Sequence, residues 1–333
     1  MDRLEALQQW LDARFGQGSY ALAPASADAS FRRYFRLTFP GSTRPSVIAM
    51  DAPPEKEDCQ PFVHVASLLA DAGLNAPRVL AQDLAQGFLL LSDLGTTTYL
   101  SAIDETNADR LFSEATDALV TWQLATRARE LPPYDATLLR RELDLFPEWY
   151  LGRHLNVSLE AQARETLERI FALLIASALA QPKVYVHRDY MPRNLMVTNP
   201  NPGILDFQDA VHGPITYDVV SLFRDAFLSW DEERVLDWTI RYWEKARKHG
   251  LPVAADFADF YRAFEWMGLQ RHLKVLGIFA RIHYRDGKTG YLEDTPRFVG
   301  YVRAVASRYE ALAPLLRLFD RIEGRAAEVR YSF

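Results

Sequence analysis

An α+β fold in two lobes is what this sequence predicts, and three observations predict it. Between Tyr20 and Leu94, short β-type runs alternate with turn residues around one helical segment. Beyond Gly95, long segments of 3.6-residue period dominate. One interval inside the second part, Lys183 to Phe207, returns to short apolar runs around a polar motif. The expected division is therefore residues 1–94, an N-terminal helix, a small antiparallel sheet and one helix, and residues 95–333, a larger and mainly helical lobe. The 333 residues are ample for two such bodies.

The elements follow in order. Leu4, Leu7, Leu11 and Phe15 share one face of a helix in the segment MDRLEALQQWLDARFG. YALAPASADASFRRYFRLTF reads as strand, turn, strand, and PSVIAMDAP as a third strand. QPFVHVASLLADAG is a helix with a glycine stop, and PRVLAQD and GFLLLSDLG are two more strands. After Gly95 come four long amphipathic helices, carried by NADRLFSEATDALVTWQLAT, LEAQARETLERIFALLIASALA, DEERVLDWTIRYWEKARKHG and FADFYRAFEWMGLQRHLKVLGIFARI.

Composition removes several classes of function. A formal charge of −6 argues against a nucleic-acid groove, which needs clustered Lys and Arg. The single cysteine, Cys59, allows neither an internal disulfide nor a cysteine zinc cluster. The N-terminal segment is charged throughout, unlike a secretory signal. The longest strongly apolar run, Ile170 to Ala180, is short of the roughly 20 residues that span a bilayer. These features read as a soluble cytoplasmic protein with no membrane or nucleic-acid partner; they leave its oligomeric state open.

The chemistry concentrates in VYVHRDYMPRNLMVTNPNPGILDFQDA, Val184 to Ala210. Asp189 follows a strand-like run and His187; Asn194 comes five positions later. LMV and ILDF read as a hairpin around the turn TNPNPG, with Asp206 ending the second strand. Two carboxylates and an amide oxygen make a hard-oxygen site suited to Mg²⁺, which keeps waters and favours substrate phosphates as its other ligands. That points to phosphoryl transfer, with Asp189 taking the proton of an attacking hydroxyl and Asn194 and Asp206 holding the metal. His187 is expected to orient the loop rather than to react. Asp209 and His212, just beyond, are candidates to meet the acceptor.

HRDYMPRN followed by ILDF resembles the catalytic and metal segments of the protein-kinase-like fold, in the version of the aminoglycoside phosphotransferase superfamily. The resemblance runs from about Ala21 to Ile282 and implies ATP as co-substrate. It implies that the backbone of Ser92 and Leu94, in GFLLLSDLG, binds adenine, and that Asp218, in GPITYDVVSLFRDAF, braces the catalytic loop. DASFRRYFRL, MDAPPEKED and QRHLKVLGIFARI further resemble the bacterial anomeric sugar kinases, which phosphorylate N-acetylmuramate and N-acetylglucosamine at C1 in cell-wall recycling. In that setting Arg271 is a candidate for the lactyl carboxylate of N-acetylmuramate.

The sequence departs from the general kinase pattern in two places. The loop ASADASFRRY carries small residues, Ser30 among them, where glycines usually approach phosphate. The strand that usually ends in an ATP-contacting lysine reads VIAMDAP, with Met50 or Asp51 at that position. Arg32, Arg33 and Lys56 are the candidate replacements. If Phe35 and Leu37 face the nucleotide, strand alternation turns Arg33 toward it and Arg32 away. Two other readings stay open: a kinase of the same fold acting on aminoglycosides, choline or homoserine, and a non-catalytic nucleotide-binding protein.

Overall fold

The computed structural model describes residues 2–27 and 31–324. Their contacts divide them into two compact units, one holding residues up to 125 together with 192–210, the other holding 126–191 and the residues from 211 on. The chain thus passes from one unit to the other inside the quoted motif.

The first unit is built on a five-stranded antiparallel sheet. Helix α1 (Arg3–Phe15) precedes strands β1 (Ala21–Ala27), β2 (Arg33–Thr38) and β3 (Val47–Asp51). Helix α2 (Gln60–Asp71) and strands β4 (Val79–Asp83) and β5 (Phe88–Ser92) follow, and the sheet order is β1-β2-β3-β5-β4. Phe35, Ala49 and Leu90 lie side by side across β2, β3 and β5, as do Arg33, Asp51 and Phe88. This face packs on the apolar stripe of α1, so that Leu7, Trp10 and Leu11 share one core with Leu37, Ala49, Phe88 and Leu90. Phe35 lies against the same core. Helix α2 stops where the sequence places a glycine, with Gly73 at φ +75°.

Helices α3 (Tyr99–Ala102) and α4 (Ala108–Leu124) complete this unit, together with a short hairpin of Leu195–Met196 and Gly203–Ile204. Backbone bridges Asn75 to Gly203 and Thr98 to Met196 hold the hairpin. Asn201 adds side-chain bonds to the Tyr99 hydroxyl at 2.7 Å and to the Glu114 carboxylate.

The second unit begins with α5 (Ala136–Leu143), a π-helical segment (Phe146–His154) and α6 (Ala161–Ala180). A strand at Lys183–Val186 pairs antiparallel with one at Val211–Pro214. After these come α7 (Tyr217–Phe223), α8 (Glu232–Lys248), α9 (Phe257–Asp286), α10 (Thr295–Arg308) and α11 (Ala313–Ile322). The thirty-residue α9 is the axis of this unit, with Leu269, Leu273, Leu276 and Ala280 buried against residues of α6, α10, α11 and the π-helical segment. No helix among the described residues is long and apolar enough to cross a membrane.

All four predicted long helices are present, as α4, α6, α8 and α9. The π-helical segment was not foreseen, because its five-residue hydrogen-bond repeat has no signature in a 3.6-residue pattern. Helix α9 packs tightly just before the start of that segment: a Cβ on Gly277 would overlap the carbonyl group of Leu145. Gly277→Ala should therefore destabilise the fold by about 1–3 kcal/mol, as overpacking of a rigid backbone contact does. Thermal melting checks this; an unchanged midpoint would show that the helix can move away without cost.

Candidate active site

In the second unit, the loop after the Lys183–Val186 strand carries His187, Arg188 and Asp189. Asp218, in the first turn of α7, is fully buried and accepts the backbone N–H groups of His187 at 2.6 Å and Arg188 at 3.0 Å. The Asp189 N–H in turn donates to Nδ1 of the buried His187 at 3.3 Å. That bond requires Nδ1 to be the unprotonated nitrogen of a neutral imidazole. Arg188 adopts φ +76°, one of four non-glycine residues in the left-handed region among the described residues. A residue held there costs of order 1–3 kcal/mol and persists where its surroundings fix it. Here Asp218 fixes the backbone, and Glu142 of α5 takes the guanidinium of Arg188 at 2.6 Å.

Burial pushes the Asp218 carboxyl up to about 7 even though both loop N–H groups and Arg271 favour its charged form; the charge of Asp189 adds to the rise. The sign of the consequence is fixed by linkage. Between the ordinary carboxyl value of 3.8 and about 7, the folded chain holds a proton that the unfolded chain has released. The corresponding stability is present below the lower value and is lost as pH rises through the upper one.

In the first unit, Asn194 stands just before the hairpin strand Leu195–Met196, and Asp206 lies two residues beyond Gly203–Ile204. The Leu205 N–H donates to the Asn194 carbonyl at 2.9 Å, which draws the two positions together. The Asn194 amide nitrogen lies 3.4 Å from Oδ2 of Asp206, and the Gln208 amide donates to Oδ1 at 2.8 Å. Asp206 is itself left-handed, at φ +61°. Turning the Asn194 amide over would set its oxygen beside the Asp206 carboxylate. No cluster of three or more His, Cys, Asp or Glu suited to a metal exists among the described residues. A carboxylate and an amide oxygen do suit Mg²⁺, which leaves its remaining positions to phosphate oxygens and water.

The other expected residues fall as follows. Arg33 forks onto the fully buried Asp51, which Arg3 of α1 also engages. Its face, that of Phe35 and Leu37, is covered by α1, which removes the premise that this side of β2 looks toward a nucleotide. Met50, on the opposite face from Asp51, occupies the interior there at 1% exposure. Arg32 pairs with Glu57 at 3.2 Å, and Ser30 lies outside the described residues. The Ser92 N–H donates to the Arg78 carbonyl at 2.9 Å. Next to Leu94, Asp93 is held by Arg36 at 2.6 Å and by Ser46 at 2.7 Å. Asp209 is exposed and His212 half-buried. Arg271 is 2% exposed, with its Nη1 unpaired among the described residues. Sequence reasoning missed Glu142 and Lys274, which meet in the second unit at 2.9 Å. Glu142 lies in an ordinary charged stretch, RRELDLF, that gives no sign of its burial.

Residues 21–257 match the family described as phosphotransferase enzymes. The chain belongs to the phosphotransferase enzyme family. Two curated relatives are each named N-acetylmuramate/N-acetylglucosamine kinase. The one from Pseudomonas aeruginosa is 56% identical, over 94% of this chain and 95% of its own. The one from Neisseria meningitidis serogroup B is 50% identical, over 97% of each. Among solved structures, a Plasmodium vivax ethanolamine kinase superposes with TM-score 0.65 at 11% identity, over 97% of each chain. An ADP-bound aminoglycoside phosphotransferase gives 0.57 at 14% identity, covering 89% of this chain and 97% of its own. The fold of this phosphotransferase is thus protein-kinase-like.

Asp218→Asn should remove the pH-dependent loss described above. The melting temperature of the wild-type phosphotransferase should fall relative to the variant as pH rises from 3.8 to about 7. Parallel melting curves across that range would show that Asp218 titrates normally.

Proposed function

We propose that this phosphotransferase moves the γ-phosphoryl group of ATP to the anomeric C1 hydroxyl of N-acetylmuramate or N-acetylglucosamine, as in cell-wall recycling. The observation that carries the reading is the pair of relatives of that name, similar at 56% and 50% identity along almost their whole length. The lobes that serve this chemistry are proposed as residues 1–94 and 95–333, in the cytoplasm.

In the proposed reaction, the acceptor O–H bond breaks as its proton passes to the Asp189 carboxylate. The oxygen forms a bond to the γ-phosphorus, the bond from that phosphorus to the bridging oxygen breaks, and ADP leaves. Asn194 and Asp206 would hold Mg²⁺, whose charge supplies electrostatic stabilisation of the phosphates. His187 and Asp218 keep the Asp189 loop in place. The hinge contact to adenine is assigned to the Ser92 carbonyl and to Leu94, since the Ser92 N–H already has a partner. Ser30 and Arg32 are proposed on the phosphate side, and Arg33 as the counter-charge of Asp51. Asp209, His212 and Arg271 are proposed to meet the acceptor, Arg271 through a carboxylate.

Asp189→Asn should lower kcat by about 10²–10⁴-fold with the fold retained, and Asp206→Ala should abolish the Mg²⁺ dependence of nucleotide binding. A ³¹P NMR assay with ATP, Mg²⁺ and each amino sugar reads both turnover and the position of the new phosphate; phosphate on any other hydroxyl would overturn the C1 assignment. Arg271→Ala should reduce kcat/KM for N-acetylmuramate more than for N-acetylglucosamine, which lacks the carboxylate. An equal loss on both sugars would remove Arg271 from acceptor recognition.

A further inference from the structure

Three segments of the second unit converge on one buried carboxylate, that of Glu142 in α5. Arg188 of the catalytic loop donates to its Oε1 at 2.6 Å, and Lys274 of α9 approaches the same oxygen at 2.9 Å. The Tyr134 hydroxyl donates to Oε2, and Gln270, one turn before Lys274 on α9, donates to Oε2 at 3.2 Å. The Lys274 ammonium also donates to the hydroxyl of Tyr217, the first residue of α7, at 2.9 Å. Glu142 and Lys274 are 4% and 8% exposed.

The charges in this cluster do not cancel. Two cations, Arg188 and Lys274, share one carboxylate. An uncompensated buried charge is costly, so a further anion is expected nearby. Asp189, the next residue after Arg188, interacts electrostatically with both cations. Burial is the largest single influence and would push both Lys274 and Arg188 down, but Glu142, Tyr217 and Asp189 together hold both up. Burial would likewise raise Glu142, yet Lys274 and Arg188 bring it down to about 2.

We propose that Lys274 is a positioning residue for phosphoryl transfer: together with Arg188 and Glu142 it sets a surplus of one positive charge beside Asp189, which is uncovered when Asp189 takes the acceptor proton. This rests on the role given to Asp189 under the proposed function. As the proton arrives, Asp189 becomes neutral while Glu142, Arg188 and Lys274 keep their charges. The surplus then acts on the negative charge of the transferring group, as preorganised electrostatic stabilisation requires.

The test is a charge count in the full-length enzyme, read by steady-state kinetics with ATP and amino sugar. Lys274→Met removes the surplus and should lower kcat by about 10²-fold, the scale of a misplaced catalytic group, with KM for ATP little changed. Lys274→Arg keeps the charge and should stay within about threefold of wild type. Lys274→Met combined with Glu142→Gln restores the count of one surplus charge and should recover activity relative to Lys274→Met alone. Thermal melting and nucleotide binding establish that each variant is folded. The inference is overturned if Lys274→Met keeps wild-type kcat, if Lys274→Arg loses as much as Lys274→Met, or if the double variant is worse than Lys274→Met. Absence of wild-type turnover on both sugars would instead overturn the proposed substrate; the same charge count is then read on the acceptor that an ADP-release panel identifies.

Discussion

The Asp218 carboxylate, buried at the start of α7, takes the N–H groups of two successive residues, His187 and Arg188, of the loop that carries Asp189. A loop that must present a carboxylate cannot also satisfy its own backbone in a helix or sheet ladder, and buried N–H groups without partners are costly. Asp218 meets that requirement from another element. With the backbone held, Arg188 can sit in the left-handed region, and its side chain is free to reach Glu142. The loop is therefore fixed twice, by Asp218 through the main chain and by Glu142 through a side chain.

The first unit solves a different charge problem. Where kinase-like strands usually offer a lysine, this chain has Met50 and then Asp51. Strand alternation sends them to opposite faces, Met50 away from α1 and Asp51 beneath it. A carboxylate with no exposure needs cations, and Arg3 from α1 and Arg33 from β2 provide them. The terminal helix is thereby tied to the sheet by an ion pair as well as by Leu7, Trp10 and Leu11. On the other face, Arg36 reaches Asp93 and the Gly95 carbonyl, on either side of Leu94.

Much of the fold was legible because the relevant signals are local. Alternation in FRRYFRLTF and VIAMDAP, the glycine after α2, and the long 3.6-residue patterns each translate into an element without reference to the rest of the chain. The hairpin between Asn194 and Asp206 was legible for the same reason: apolar pairs flank a turn rich in Asn and Pro, so Asn194 and Asp206 had to approach one another. Arg33 was misjudged in its surroundings because alternation says which residues share a face but not what covers it. Glu142, Gln270 and Lys274 were not legible as a group, since a charged residue on an amphipathic helix reads as solvated until its neighbours are known.

The sequence by itself determined the order of strands and helices and the pairing that brings Asn194 to Asp206, because spacing along a chain dictates local geometry. Only the tertiary structure decided which of the charges are buried and who neutralises them. That α1 covers Asp51, and that α5, α7 and α9 enclose Glu142 and Lys274, depends on contacts between distant residues, such as Glu142 and Gln270, 128 positions apart. The energy of a charge is set by what surrounds it in space, and a list of residues does not contain that.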